Sequence, residues 1–330
     1  MARLIFWIFL TCGLFSGYWF AATRFLDQAL ANGIAAAQAD GWQIDYAALE
    51  TTGFPGDFDI NAQDMVIVAA DGQWAWQGPA LQVQAPSIRP TRVTVDLPPT
   101  HTLRLGEQTL QIESEALTLG GATALNAAFS FDAETVNATE ALIKSNFGWQ
   151  ARREQLDGST TKQAEADKTY DVDLTTSGVT LPATLLAQIA PVGTLSNMIN
   201  SVALDSEVTL TQPINRFAFD GSGPEPALEK LVLSHFNMTW GDIAVTAAGV
   251  LDVDPEGIPD GRITIQTAQW QAIIDILVVA GAIDAGVAPT LANAARTMVD
   301  GNGVLFLPIT FRDGFMSMGL LPLGPAPHLR

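Results

Sequence analysis

The chain opens on an apolar run, passes through a helical period, and then alternates with period two over most of its remaining length. No charge occurs between Arg3 and Arg24, so residues 4–22 form an uncharged, largely apolar stretch. As a helix rising 1.5 Å per residue, such a stretch is roughly 28 Å long, close to the hydrocarbon thickness of a bilayer. Tyr18 and Trp19 fall near its far end, where amphipathic rings favour the membrane interface. Arg3 and the α-amino group favour a cytoplasmic N-terminus, an asymmetry that Arg24 reduces. The pattern predicts a signal anchor, an N-terminal transmembrane helix over residues 1–24. Residues 4–22 would lie in the inner membrane, single-pass, with the bulk of the chain in the periplasm. A cleaved signal peptide is the competing reading, but the run is long for one, and Trp19 and Phe20 are bulky ahead of Ala21-Ala22.

A leading helix is expected over residues 25–52, its helical period running from Phe25 to Gln43. Leu26, Leu30, Ile34 and Ala37 recur at helical spacing, and Gly41 is a natural stop. From Gly53 the apolar positions alternate. Phe58 and Ile60, Met65 and Ile67, Trp74 and Trp76, Leu81 and Val83, and Val93 and Val95 are such pairs. Leu103 and Leu105, Leu110 and Ile112, and the run Leu125, Ala127, Phe129, Phe131 continue the pattern. Asp71-Gly72, Gly78-Pro79, Pro98-Pro99, Gly106 and Gly120-Gly121 punctuate it, which predicts antiparallel meanders. Residues 134–145 are ambiguous, and the polar residues 158–168 read as a loop or hairpin tip. Residues 181–199 read as a helix broken near Pro191. Strands are expected over 202–210, 217–219, 231–240, 243–253 and 261–267, helices over 270–282 and 288–299, and a closing hairpin that turns at Asp313-Gly314. The apolar stretch 273–287, interrupted by Asp275 and Asp284, reads as buried helix.

The expected fold is therefore mainly β with a few helices (α+β): an elongated, curved antiparallel sheet with packed helices behind the N-terminal helix. Residues 53–180 would form a first β region, and residues 181–330 a second with helices and the C-terminal hairpin.

Composition narrows the function. Charged residues are only 15% and hydrophobic residues 48%, which excludes a disordered chain. The formal net charge of −19 weighs against nucleic acid, whose phosphates call for clustered Lys and Arg. The single cysteine, Cys12, sits in the apolar run, so the folded region has no internal disulfide. His101, His235 and His328 are isolated, no nucleophile elbow is present, and no His or Cys pair has metal-ligand spacing. The acidic stretch Asp252, Asp254, Glu256, Gly257, Asp260 departs from a calcium loop, because Ile263 stands at the twelfth position and Pro255 inside, and it reads as a hairpin turn. No phosphate-cradling glycine motif occurs. No catalytic residue, metal site or cofactor is expected, and the chain reads as non-enzymatic.

The aromatic strand Trp74-Ala75-Trp76 carries the most specific expectation. Period two places both indoles on one face, where they serve either as core or as the wall of an apolar groove with Leu81, Val83, Val93 and Val95.

Several motifs recur in a telling order: Ser16-Gly17-Tyr18-Trp19-Phe20, Gly41-Trp42, Asp45-Tyr46, Gly53-Phe54-Pro55, Trp74-Ala75-Trp76-Gln77, Arg89-Pro90, and the closing Leu321-Pro322-Leu323-Gly324-Pro325-Ala326-Pro327. In this order the chain resembles the alphaproteobacterial family called domain of unknown function 2125, with Gly56-Asp57 departing from the polar or basic pair usual after Phe-Pro. The resemblance carries no activity and no site residues. It implies a membrane signal ahead of an elongated β domain, similar to the AsmA-like envelope proteins linked to outer-membrane assembly and lipid traffic. The function expected is a module that binds a lipid or other amphiphile in an apolar groove at the inner membrane. The alternative is a structural or assembly factor that contacts other envelope proteins.

Overall fold

The computed structural model describes residues 2–189, 195–219, 223–281, 285–319 and 321–329, and of residues 2–15, 189 and 321 the backbone only. Among these, eighteen strands and five helices make the chain mainly β. It divides into two compact units: Met1–Ala122 with Ile143–Gly148, and Thr123–Leu142 with Trp149–Arg330. The boundary expected at residue 180 falls within the second unit.

The first unit begins with a continuous helix, α1 (Ala2–Ala39). It stops as the sequence predicts. Gly41 adopts φ 95°, its N–H donates to the Gln38 carbonyl at 3.1 Å, and the Trp42 N–H donates to the Ala37 carbonyl at 3.0 Å. This is a Schellman closure, which satisfies carbonyls that a helix end leaves open. Among the described residues no helix is long and apolar enough to cross a membrane. The span expected over residues 4–22 is helical as part of α1, and the side chains of its residues 4–15 lie outside those described.

The sheet of this unit is built on a long hairpin, β3 (Asp57–Val68) and β4 (Trp74–Pro86). The outer edge of β3 takes β1 (Gln43–Asp45) and β2 (Ala48–Thr52), so the leading helix expected over 25–52 is strand in its last part, because β3 offers those residues a ladder. The other edge, that of β4, is shared: its first residues pair with β6 (Thr100–Leu105), and residues 82–84 with β5 (Arg92–Asp96). β7 (Gln108–Glu113) then extends β6, and β8 (Ala116–Thr123) extends β5. All these pairings are antiparallel, as the two-residue period and short turns predict.

The second unit is a meander in sequence order. Its strands are β9 (Phe131–Ser145), whose last residues belong to the first unit, β10 (Gln150–Lys162), β11 (Thr169–Thr180), β12 (Met198–Leu210), β13 (Leu228–Trp240), β14 (Ile243–Val253), β15 (Pro259–Thr267), β16 (Leu305–Arg312), β17 (Phe315–Met318) and β18 (Leu321–Pro325). From β10 to β18, each strand pairs antiparallel with the next. The β16–β17 turn runs through Asp313 at φ 51° and Gly314 at φ 76°. Two left-handed residues match the twist of the flanking strands. Tyr170 on β11 is buried to 1% exposure. Its ring meets Phe131 edge-on at 5.6 Å, and its hydroxyl accepts from the Ile214 N–H at 2.8 Å. Tyr170→Phe strands that N–H and is expected to cost about 1–3 kcal/mol, read as a lower urea midpoint at unchanged slope.

Several local expectations are corrected, each by a side chain or a ladder. Residues 217–219 are not a strand but lie in a short helix, α3 (Arg216–Phe219), because Asn215 Oδ1 accepts from the Phe217 N–H at 2.9 Å and starts a turn. The alternation from Leu125 to Phe129 is not a strand either. Asn126 Oδ1 accepts from the N–H groups of Ala128 and Ser130 at 3.1 and 3.3 Å and closes a loop. Residues 158–162, expected as loop, continue β10 in register with residues 170–174 of β11, leaving only 163–168 as the tip. Residues 134–145 are strand. The helix expected over 181–199 is α2 (Ala183–Ile189). Residues 198–199 instead pair with 179–180 in the β11–β12 ladder, and the expected break at 191–193 lies outside the described residues. The stretch 273–287 is not one buried helix: α4 (Trp270–Val279) ends near Gly281 at φ 72°, α5 (Ala288–Arg296) follows, and Leu277 and Val279 are exposed.

Candidate functional site

An apolar cavity lies wholly in the second unit, between the two helices α4 and α5 and the strands β15 to β18. Its floor follows from strand alternation. On β16, Leu305, Leu307 and Ile309 point to one side. Register sets Thr267 opposite Leu305 and Ile265 opposite Leu307, and Ile309 opposite Met318 of β17. The roof follows from helical period. Trp270, Ile273, Ile274 and Leu277 occupy i, i+3, i+4 and i+7, one stripe of α4. On and just before α5, Val287, Leu291 and Ala295 recur every four residues.

At the closed end Trp270, Ala295 and Leu305 are buried against one another, with Ile274, Ala292, Met298, Val299 and Leu307 packed around them. Beyond this plug the stripes part and leave a cavity of about 430 Å³, also walled by Pro322 and Leu323 of β18. Leu277, Val287 and Leu323 are each more than a third exposed and form its rim. The volume lies within the range of small-molecule sites. Among the described residues Thr267 and the indole of Trp270 are the polar side chains in its wall, and the Thr267 Oγ1 already accepts from the Gln269 N–H at 3.1 Å. Among the described residues no titratable group lines it, and these residues offer no general acid, base or anion site. The cavity offers apolar surface that water solvates poorly and an apolar group fills well.

The six groove residues expected from the sequence all lie in the first unit, on β4 and β5, in two groups. Trp76 stands between Ile67 of β3 and Leu103 of β6. It is buried, and its ring lies 6.0 Å from that of His101. Gly78 makes room for it: a Cβ there would meet the indole at 2.8 Å. Among the described residues the Trp76 Nε1–H has no hydrogen-bond partner. Trp74 is half-buried and packs edge-on against Trp42 at 5.5 Å. At the other end of β4, Val83 stands between Ile60 and Val95, Leu81 opposite Ala62, and Val93 opposite Gly121. The two groups thus pair with different strands, β6 and β5.

The remaining candidates have local explanations. Asp254 Oδ1 accepts from the N–H groups of Glu256 and Ile258 at 3.0 and 2.8 Å, so the acidic stretch is a hairpin turn between β14 and β15. Among the described residues no group of His, Cys, Asp and Glu is placed to hold a metal. His101 is buried with Nδ1 3.0 Å from the Pro98 carbonyl, and His328 Nδ1 lies 3.3 Å from that of Glu256. Burial holds the Arg153 guanidinium below its ordinary pKa, and among the described residues its Nε has no partner; the group stays cationic at any physiological pH.

Residues 19–327 match the family described as an uncharacterised protein conserved in bacteria, DUF2125. The chain belongs to this family. The DUF2125 match begins at Trp19 on α1 and takes in every strand of both units together with the α4–α5 cavity. No curated protein and no solved structure matches the chain.

Proposed function

We propose that this DUF2125 protein is a non-enzymatic binding module that takes the apolar part of an amphiphile, such as a lipid acyl chain, into the cavity between α4, α5 and β15–β18. Residues 4–22 hold it at the inner membrane, with the bulk of the chain in the periplasm. The observation that carries the binding reading is the cavity itself: about 430 Å³, open at a rim of exposed leucine and valine, and lined among the described residues by no titratable side chain. The support for the membrane is the uncharged run 4–22 at the start of α1. This moves the proposed site from the first unit, where Trp76 is core, to the second. Binding at an exposed sheet edge, as an assembly factor would use, has less support, because β18 carries Pro322 and Pro325, which cannot donate to an added strand.

The test is titration of the full chain, in detergent micelles, with a fluorescent long-chain fatty acid. One saturable site is expected. Leu277→Glu and Leu323→Glu place a charge at the rim, where both side chains are already partly in water, so the fold is retained. Each is expected to weaken binding by roughly tenfold or more, because the ligand would bury an unpaired carboxylate. Trp74→Ala is expected to leave the affinity unchanged. Equal affinity in wild type and both rim variants, or no saturable binding, overturns the cavity as the site.

A further inference from the structure

The end of α1 presents a second, unlike feature. Trp19 is buried there and its Nε1 donates to the Asp57 carbonyl at 3.1 Å, while the Tyr18 hydroxyl donates to the Ser87 carbonyl at 3.0 Å. These bonds fix one face of the helix on the turn at residues 53–57 and on the end of β4. Beside this buried anchor the same residues hold large apolar side chains in the open. Phe20 is 60% exposed, Phe54 49% and Ile88 77%. The rings of Phe20 and Phe54 stack at 5.9 Å with planes 18° apart, so they form one rigid surface. Single exposed apolar residues are ordinary on a protein surface, but a fixed aromatic pair beside a nearly bare isoleucine marks an interaction site.

The helix indicates what covers it. α1 is unbroken from Ala2 to Ala39, and its first charge after Arg3 is Arg24, just past Phe20. Residues 4–20 at 1.5 Å each are roughly 25 Å long, so the patch stands where an embedded helix would leave the hydrocarbon. Tyr, Trp and Phe beside such an exit match the layer that aromatic side chains prefer. Cations flank the apolar tip: Arg89 follows Ile88 in sequence, the Arg92 N–H closes a turn on the Arg89 carbonyl at 3.1 Å, and Arg24, Arg89 and Arg92 are all exposed. These guanidinium groups suit headgroup phosphates, and they stand beside the exposed Asp57 of the turn.

We propose that the Phe20–Phe54–Ile88 face is a bilayer-docking surface, which seats the first unit in the interfacial layer of the membrane that holds α1. The inference rests on the membrane placement proposed above and is independent of the cavity. The test uses the full chain with Cys12→Ser, reconstituted in phosphatidylcholine and phosphatidylglycerol vesicles. An environment-sensitive label is attached to an Ile88→Cys variant, and in a second protein to a Leu125→Cys variant, whose leucine is the more exposed at 85%. With the protein floating with the vesicles, the label at position 88 is expected to be quenched by shallow lipid-borne spin labels. It should also be quenched about threefold less by aqueous iodide than the label at 125, since an anion is excluded from the apolar layer. Equal iodide quenching at both positions in protein that floats overturns the docking surface and leaves the membrane placement standing. Protein that does not float overturns both.

Discussion

Trp19→Ala is expected to destabilise the first unit by about 3–5 kcal/mol, the range for removing a buried tryptophan. The indole is 5% exposed. It stacks on Phe58 at 6.0 Å with planes 21° apart, meets Phe54 edge-on at 5.3 Å, and satisfies the Asp57 carbonyl. Alanine empties the space between α1 and β3 and removes that donor at once. Hydrogen exchange followed by mass spectrometry is the measurement of choice: protection should fall in β2, β3 and β4 and persist in β12 to β15. Trp19→Phe keeps most of the packing and loses only the N–H, so a smaller cost of about 1–3 kcal/mol is expected. Unchanged protection in β3 for the alanine variant would mean that α1 is not held by this residue.

A loss of similar size is expected for Trp270→Ala in the second unit, again about 3–5 kcal/mol. Trp270 opens α4 and is buried against Ala295 of α5 and Leu305 of β16, so one side chain joins both helices to the sheet. Its removal merges the plug with the cavity. Protection should be lost in α4 and α5 first, and the fatty-acid probe should lose its saturable site. Trp270→Phe is expected to keep the site at reduced stability. Retention of full probe affinity by the alanine variant would separate the helices from ligand binding and count against the cavity.

The sequence makes much of this readable, because local rules decide it. Gly41 ends α1 since the left-handed residue a Schellman closure needs is cheapest as glycine. Alternation from Ile243 to Val253 coincides with β14 from end to end. What escapes a linear reading is decided by a single side chain or by distance in the fold. Asn215 and Asn126 redirect short apolar alternations into a helical turn and a loop through one or two hydrogen bonds each. Polar Gly158–Lys162 is strand because β11 offers it a ladder, and no local pattern announces a partner. The indoles of Trp74 and Trp76 do alternate as expected. That one is core depends on Gly78, Pro98 and His101 closing over it. The cavity residues were legible as two helical stripes and one alternating strand, but that the stripes face Leu305, Leu307 and Ile309 across a gap is a tertiary fact.

The order of strands in the second unit has a consequence for how the chain is made. From β10 to β18 every hydrogen-bonded neighbour is also the neighbour in sequence. Each new hairpin can dock on the edge left by the last as soon as it emerges, without waiting for a distant segment. A chain that emerges N-terminus first can thus zip this part of its sheet in the direction of synthesis, leaving each new edge little time to meet another chain. Pro322 and Pro325 on β18 then close the growing side.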